Sequence, residues 1–244
     1  VLITTVFIRI KAYVNVLYDK YYIMNYNNLE IELTTICTLG CPGCPRNYQK
    51  HLKPQWNTGH MDYDYVRWLA YETDFWQYQF VGCYGDPIYH PKIVEIMQLF
   101  VEQGKRFTIE TNASNTKPEL WDKIHELELN DKVLFTFSVD GLEDTNHIYR
   151  KRSKWSDIEY AMSQVLSMKH KPTTLWKWIE FPYNQHQTET ARQLAKEIGF
   201  ERFQVRRSTR WKPYSFDNVD DMPQYLFPEQ LQMWRDKWER MTNQ

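Results

Sequence analysis

The sequence predicts an α/β fold built on a parallel sheet, and three observations carry the prediction. Six short apolar stretches with strand character alternate with six stretches of helical periodicity. Strands joined through helices in one sheet run parallel, because each crossover must return over one face. Every stretch rich in Cys, Gly, Asn or Asp falls just after a strand, the end at which β/α barrels assemble their sites. At 244 residues and 42% apolar content the chain is long enough for one such barrel-like unit.

Residues 1–22 begin apolar but are interrupted by Arg9, Lys11, Asp19 and Lys20. A membrane-spanning helix needs roughly 20 predominantly apolar residues, and a secretory signal needs its positive charges before the apolar run. Neither pattern is met, so a cytoplasmic protein with no membrane partner is expected. Met24 is a candidate start beside Val1 or a fragment boundary, and the expected division is an N-terminal extension over 1–23, a core domain over 24–212 and a C-terminal helical segment over 213–244. The net charge of -1 supplies no global field for nucleic acid. Ten Trp and seventeen Tyr within 16% aromatic content predict an aromatic-rich core and surface.

Residues 28–34 form the first strand, with Leu29, Ile31 and Leu33 in strict alternation. It leads into a loop holding Cys37, Cys41 and Cys44 within eight residues. A helix over 61–76 follows, then a short strand over 79–82 that ends in Gly82, Cys83, Tyr84, Gly85, Asp86 and Pro87. Glycine in such a turn permits close approach of backbone to a ligand. Residues 91–103 form a helix opened by proline and closed by Gly104. The third strand, 106–111, ends in Thr111 and Asn112, and the next helix spans 118–129. The fourth strand, 132–139, is rich in β-branched and aromatic residues and runs into Ser138, Asp140 and Gly141, with Tyr149 and Arg150 shortly after. A helix over 156–169 takes Ser156 as its N-cap. The fifth strand, 173–181, ends near Asn184 and His186, and a helix over 189–198 stops at Gly199. After a short sixth strand at 203–205, Arg206, Arg207, Arg210, Trp211 and Lys212 form a basic-aromatic cluster suited to an anionic ligand. The last helix spans 228–241.

The clustered cysteines admit several chemistries. Iron-sulfur clusters take one cysteine per iron, so three on one loop hold three irons of a four-iron cluster and leave the fourth open. An open metal position is what a binding substrate or cofactor needs. The alternatives are a zinc site with Cys83 as fourth ligand, or disulfides. Structural zinc favours two separated Cys-x2-Cys pairs, and disulfides suit small secreted domains.

Cys-x3-Cys-x2-Cys after the first strand, Gly85, Asp86 and Pro87 after the second, Thr111 and Asn112 after the third, and Ser138, Asp140, Gly141, Tyr149 and Arg150 after the fourth together resemble the radical S-adenosylmethionine (radical SAM) superfamily. Gly43 stands where that family usually has a bulky residue, and Asp86 where it usually has Glu. The resemblance implies the partial (β/α)6 TIM-like barrel of that family's core. It implies that Cys37, Cys41 and Cys44 bind a 4Fe-4S cluster whose fourth iron is chelated by S-adenosyl-L-methionine. Tyr84, Gly85 and Asp86 would then meet the methionine moiety, Thr111, Asn112, Ser138, Asp140 and Arg150 its ribose and carboxylate, and Asn184 the adenosine. The implied reaction is reductive cleavage of the cofactor to a 5'-deoxyadenosyl radical that abstracts hydrogen from a substrate, a peptide or protein by analogy. An electron donor such as a flavodoxin or ferredoxin is the implied partner. A barrel that binds the cofactor or a peptide without radical chemistry is the further alternative. Many members carry extra cysteines near the C-terminus for auxiliary clusters, and no cysteine follows Cys83 here.

Overall fold

Alternation along the strands gives one sheet an apolar face and a polar face. The computed structural model describes residues 8–13, 26–47, 58–115, 117–208 and 224–242. Within them, β1 (Ile8–Tyr13), β2 (Tyr26–Ile31), β3 (Gln77–Phe80), β4 (Phe107–Thr111), β5 (Val133–Ser138), β6 (Thr173–Glu180) and β7 (Arg202–Arg207) lie side by side in chain order. Strands β2 to β7 are parallel, and the sheet is an open, partial barrel. β1 is an addition to the expected set. It pairs antiparallel with β2, Ile8 opposite Ile31 and Tyr13 opposite Tyr26. Ile8 and Ile10 alternating with Arg9 and Lys11 is the strand signal in that segment.

The crossovers carry α1 (Tyr63–Glu72), α2 (Ile93–Glu102), α3 (Pro118–His125), the single turn α4 (Asn146–Tyr149), α5 (Trp155–Leu166) and α6 (Thr188–Glu197), with α7 (Pro228–Thr242) last. The apolar stripes of α1, α2, α3, α5 and α6 pack on the sheet's apolar face. Tyr78, Phe80, Phe107, Ile109, Phe135, Phe137, Trp176 and Trp178 are all fully buried there, with Ile96, Met97 and Phe100 of α2 and Trp121 of α3. Phe100 meets Tyr78 and Phe80 edge-on at 5.0 and 4.9 Å, geometry that adds about 1 kcal/mol per pair to the burial itself. The aromatic surplus is thus shared between this core and the surface, where Tyr65, Trp68, Tyr71 and Trp76 stand exposed, as expected.

Cap chemistry sets the helix ends. Asp62 caps α1 by accepting from the backbone N–H of Asp64 and Tyr65, so the helix starts after Met61. Gly199 has φ +97°, and with Gly199 N on Lys196 O at 3.2 Å and Phe200 N on Ala195 O at 2.9 Å it ends α6 as a Schellman motif. Ser156 is not a cap: α5 begins one residue earlier at Trp155, behind Lys154, with no side-chain cap bond. Trp155 packs against the main core, and that contact outweighs the capping preference of serine.

Candidate active site

β2 stops at Ile31 rather than running to 34 because the chain there finds other partners. Leu33 O accepts from Met61 N at 2.8 Å, Gly59 O accepts from Thr35 N at 3.0 Å, and Thr34 bridges His60. The Thr34 hydroxyl donates to Gly59 O at 3.1 Å, and the Thr35 hydroxyl accepts from Gly59 N at 2.9 Å. These bonds clasp the two ends of the cysteine loop together. Within the loop, Cys44 N and the Asn47 side chain both donate to Cys41 O, at 3.1 and 2.8 Å, and Gly40 N ties it to Lys151 O at 3.1 Å.

Cys37, Cys41 and Cys44 line one cavity of about 350 Å³ at the C-terminal ends of the strands, and none of the four cysteines is in a disulfide. Each of the three sulfurs has a polar neighbour. Asn112 Nδ2 lies 3.5 Å from Cys37 Sγ, Arg150 Nη1 lies 4.0 Å from Cys41 Sγ, and Cys44 Sγ lies 4.0 Å from Cys83 O. Burial pushes the Cys37 thiol up, and it pushes the Cys41 thiol to about 12 against the opposing pull of Arg150. At Cys37 and Cys41, burial therefore disfavours the thiolate, and a bound cation would offset it. Among the described residues, no group of three or more His, Cys, Asp or Glu is gathered tightly enough for a single metal ion, as tetrahedral zinc at about 2.3 Å from each sulfur would require. A multi-iron cluster, which takes one thiolate per iron, fits three separate thiols on one cavity wall.

The turn after β3 packs directly on this loop. Asp86 N donates to Ile36 O at 2.9 Å, and Tyr84, Gly85 and Asp86 all line the cavity. The buried Asp86 carboxylate accepts from Ile88 N at 3.1 Å, the Thr111 hydroxyl at 3.0 Å and Asn112 N at 2.7 Å, which makes it the strut between this turn and the end of β4. Thr111 and Asn112 line the same wall. On the other side, Glu32 accepts from Cys83 N at 2.5 Å and Tyr84 N at 3.3 Å. The sequence reading did not single out Glu32.

Burial raises the Glu32 carboxyl from an ordinary 4.5 to about 7, despite the two amide donors. Between those values folding takes up a proton, so the stability tied to this group is full below about 4.5 and is lost as pH rises through about 7. Asp86, raised by burial from 3.8 to about 6, acts in the same sense. In the metal-free protein, Glu32→Gln is expected to shrink the difference in unfolding free energy between pH 5 and pH 8 by about 2 kcal/mol, measured by urea titration. A difference as large as in the wild type would place the pH dependence elsewhere.

The polar face of the sheet supplies the cavity floor. Glu110 accepts from the Ser138 hydroxyl at 2.7 Å and from Lys177 Nζ at 2.6 Å. Burial alone would raise its carboxyl, but Lys177 and Ser138 override it and the net shift is downward. Arg150 also lines the cavity, its Nε donating to Asp140 Oδ2 at 2.6 Å. Asp140 and Asn184, by contrast, stand behind the wall. Asp140 Oδ1 accepts from Ile179 N at 2.7 Å, and Asn184 Nδ2 donates to the carbonyls of Asp140 and Ile179 at 2.9 and 3.0 Å. Both are fully buried and brace the ends of β5 and β6. Lys177, Glu110 and Arg46 line the cavity without having been singled out in the sequence. Arg206 and Arg207 reach its rim, while Arg210, Trp211 and Lys212 lie outside the described residues. Beside the cavity, Tyr225 packs with Leu39, Cys41, Tyr149 and Phe181 as a second apolar cluster.

No curated protein matches the sequence. Solved structures do match the fold. Streptococcus suis SuiB bound to S-adenosylmethionine superposes with a TM-score of 0.59 at 15% identity, over 87% of this chain and 47% of that one. SuiB bound to precursor peptide SuiA gives 0.60 at 14% identity, over 88% and 46%. Native anSMEcpe with bound AdoMet and Cp18Cys peptide gives 0.54 at 18% identity, over 88% and 61%. At such identities the likeness is one of fold, and this chain spans about half the length of SuiB. The sequence itself matches the model of the Radical SAM superfamily over residues 31–175. That stretch runs from the end of β2 into β6 and contains the three thiols, the turn that packs on them and the Arg150 wall. More than half of the chain therefore matches the family along the strands that build the cavity, and the chain belongs to the radical SAM superfamily.

Proposed function

We infer that the chain is a radical SAM enzyme whose cavity takes a 4Fe-4S cluster on Cys37, Cys41 and Cys44 and S-adenosyl-L-methionine beside it. The observation that carries this is the convergence of three thiols, the Tyr84 to Asp86 turn and the Arg150 guanidinium on one cavity. When bound, the cluster and cofactor supply one-electron reductive cleavage of a sulfonium and hydrogen abstraction from a substrate. The residues of the chain position and protect. Tyr84 and Gly85 present backbone held by Glu32, which accepts from Cys83 N and Tyr84 N, and by Asp86 N on Ile36 O, suited to an ammonium group and its neighbours. Arg150, oriented by Asp140, offers its remaining N–H groups to a carboxylate. Thr111, Asn112 and Ser138 supply the polar wall for a ribose, and Asn184 acts by bracing that wall. The apolar cluster around Tyr225 and Phe181 keeps water from the thiols' flank.

A peptide or protein is the proposed substrate class, on the grounds that SuiB and anSMEcpe, which share the fold, have been solved with peptides bound. A low-potential flavodoxin or ferredoxin is the proposed electron donor. Thiols that must stay reduced suit the cytoplasm, and among the described residues no helix is long and apolar enough to cross a membrane. Residues 24–212 are proposed as the catalytic core, with 1–23 an extension and 213–244 an added C-terminal segment.

The test is anaerobic purification with iron and sulfide analysis and electron paramagnetic resonance of the reduced protein, with and without S-adenosylmethionine. A four-iron signal that changes on adding the cofactor is expected. Zinc in place of iron, or a signal indifferent to the cofactor, would overturn the assignment.

A further inference from the structure

Arg46 sits two residues beyond Cys44, is 4% exposed and lines the cavity with the three thiols. Its Nη2 donates to Leu39 O, which anchors the guanidinium against the loop. Its Nε is buried with no hydrogen-bond partner. Among the described residues no carboxylate comes within ion-pair distance of it. A guanidinium cannot escape burial by losing its proton, and an unpaired buried charge is strongly unfavourable. The other buried charged groups of the cavity are already matched. Arg150 is held by Asp140, Glu110 by Lys177 and Ser138, and Asp86 by three donors. The negative charge left to face Arg46 is that of the cysteine sulfurs. Three thiolates around a four-iron cluster make a net anion, and one-electron reduction makes it more negative.

We propose that Arg46 is a redox-tuning residue of this site: its Nε–H donates to a sulfur of the cluster held by Cys37, Cys41 and Cys44, and its charge favours the reduced form. This rests on the cluster reading above. Hydrogen bonds to sulfur and nearby positive charge both raise the potential of such clusters. The electron comes from the external one-electron donor, and Arg46 itself is neither oxidised nor deprotonated. The Leu39 anchor fixes the direction of Nε, so a lysine at this position keeps the charge and loses the directed N–H.

Arg46→Met and Arg46→Lys, reconstituted anaerobically, test this in a dithionite titration of the four-iron resonance signal, with iron and sulfide counted on every sample. Arg46→Met is expected to hold a wild-type complement of iron with reduction at least about tenfold less favourable, a fall of about 59 mV for a one-electron couple. Arg46→Lys is expected to fall between the two. Full loading with less than about a twofold change in the reduction constant of both variants overturns the role of Arg46 and leaves the cluster assignment standing. Should Arg46→Met fail to fold or load, Arg46→Lys decides: a loss of about threefold or more supports the role, and an unchanged constant overturns it. Wild-type protein without iron and sulfide overturns both readings at once.

Discussion

Cys41→Ala is expected to abolish cluster loading, with iron and sulfide falling to background after anaerobic reconstitution, while the far-ultraviolet circular dichroism of the apoprotein stays that of the wild type. The size of the effect follows from the donor set. Three thiols line the cavity, and removing one leaves two, too few to hold a cluster that already keeps one iron open. Cys41 is the most buried of the three, so water replaces its sulfur poorly. Arg150 would then lose its neighbour at 4.0 Å but keep Asp140, which is why the fold should survive. Cys83→Ala is the paired control. Cys83 lines the same cavity, but its contacts run to Glu32, through both its N–H and its thiol, and its carbonyl faces Cys44. Loading at the wild-type level is expected for Cys83→Ala. A full four-iron complement in Cys41→Ala, or loss of iron in Cys83→Ala, would require a different ligand set.

What was legible in the sequence follows from which residues have their environment dictated locally. Leu29, Ile31, Phe107 and Ile109 announce strands because one face of the sheet is covered by helices, and alternation records that directly. Gly104 and Gly199 announce helix ends because positive φ is needed there. Glu32, Glu110 and Lys177 were not legible. Glu110 and Lys177 are polar residues at alternating strand positions, and Glu32 continues the alternation one residue past β2, the pattern of a strand with one face in water. Only the curvature of the partial barrel turns that face into a cavity wall. The signal available was their position: all lie at the same ends of strands as the cysteine loop. Asp140 and Asn184 are the converse case. They belong to motifs that mark the site, but the structure uses them to hold backbone, and a motif does not distinguish a residue that touches a ligand from one that fixes its neighbour. Tyr225 was invisible for a third reason, since its partners Leu39 and Tyr149 are remote in sequence.

Gly85→Ala is expected to destabilise the protein by about 3 kcal/mol or more and to reduce cluster loading with it. A β-carbon at Gly85 would stand 2.1 Å from Thr34 O, 2.7 Å from Thr34 C and 2.8 Å from Ile36 N. All three are backbone atoms, so no side chain can rotate away. The hydrogen bond from Asp86 N to Ile36 O at 2.9 Å holds the same two segments together, and the added methyl would have to break it or displace the start of the cysteine loop. Displacing that start also strains the Thr34 and Thr35 clasp on Gly59, so the disturbance reaches both ends of the loop. Gly59→Ala separates this steric effect from the mere loss of a glycine, because a β-carbon at Gly59 meets nothing within 4 Å. It should be neutral or stabilising by about 0.5 kcal/mol through the unfolded chain. Urea unfolding of the two variants at equal slope makes the comparison. If Gly85→Ala unfolds within about 1 kcal/mol of the wild type, a margin ordinary for surface changes, the turn is not wedged against the cysteine loop. The close approach would then have no part in shaping the cavity. If it fails as expected, glycine at this position is required by packing alone, before any ligand binds, and the cavity is organised in the apoprotein.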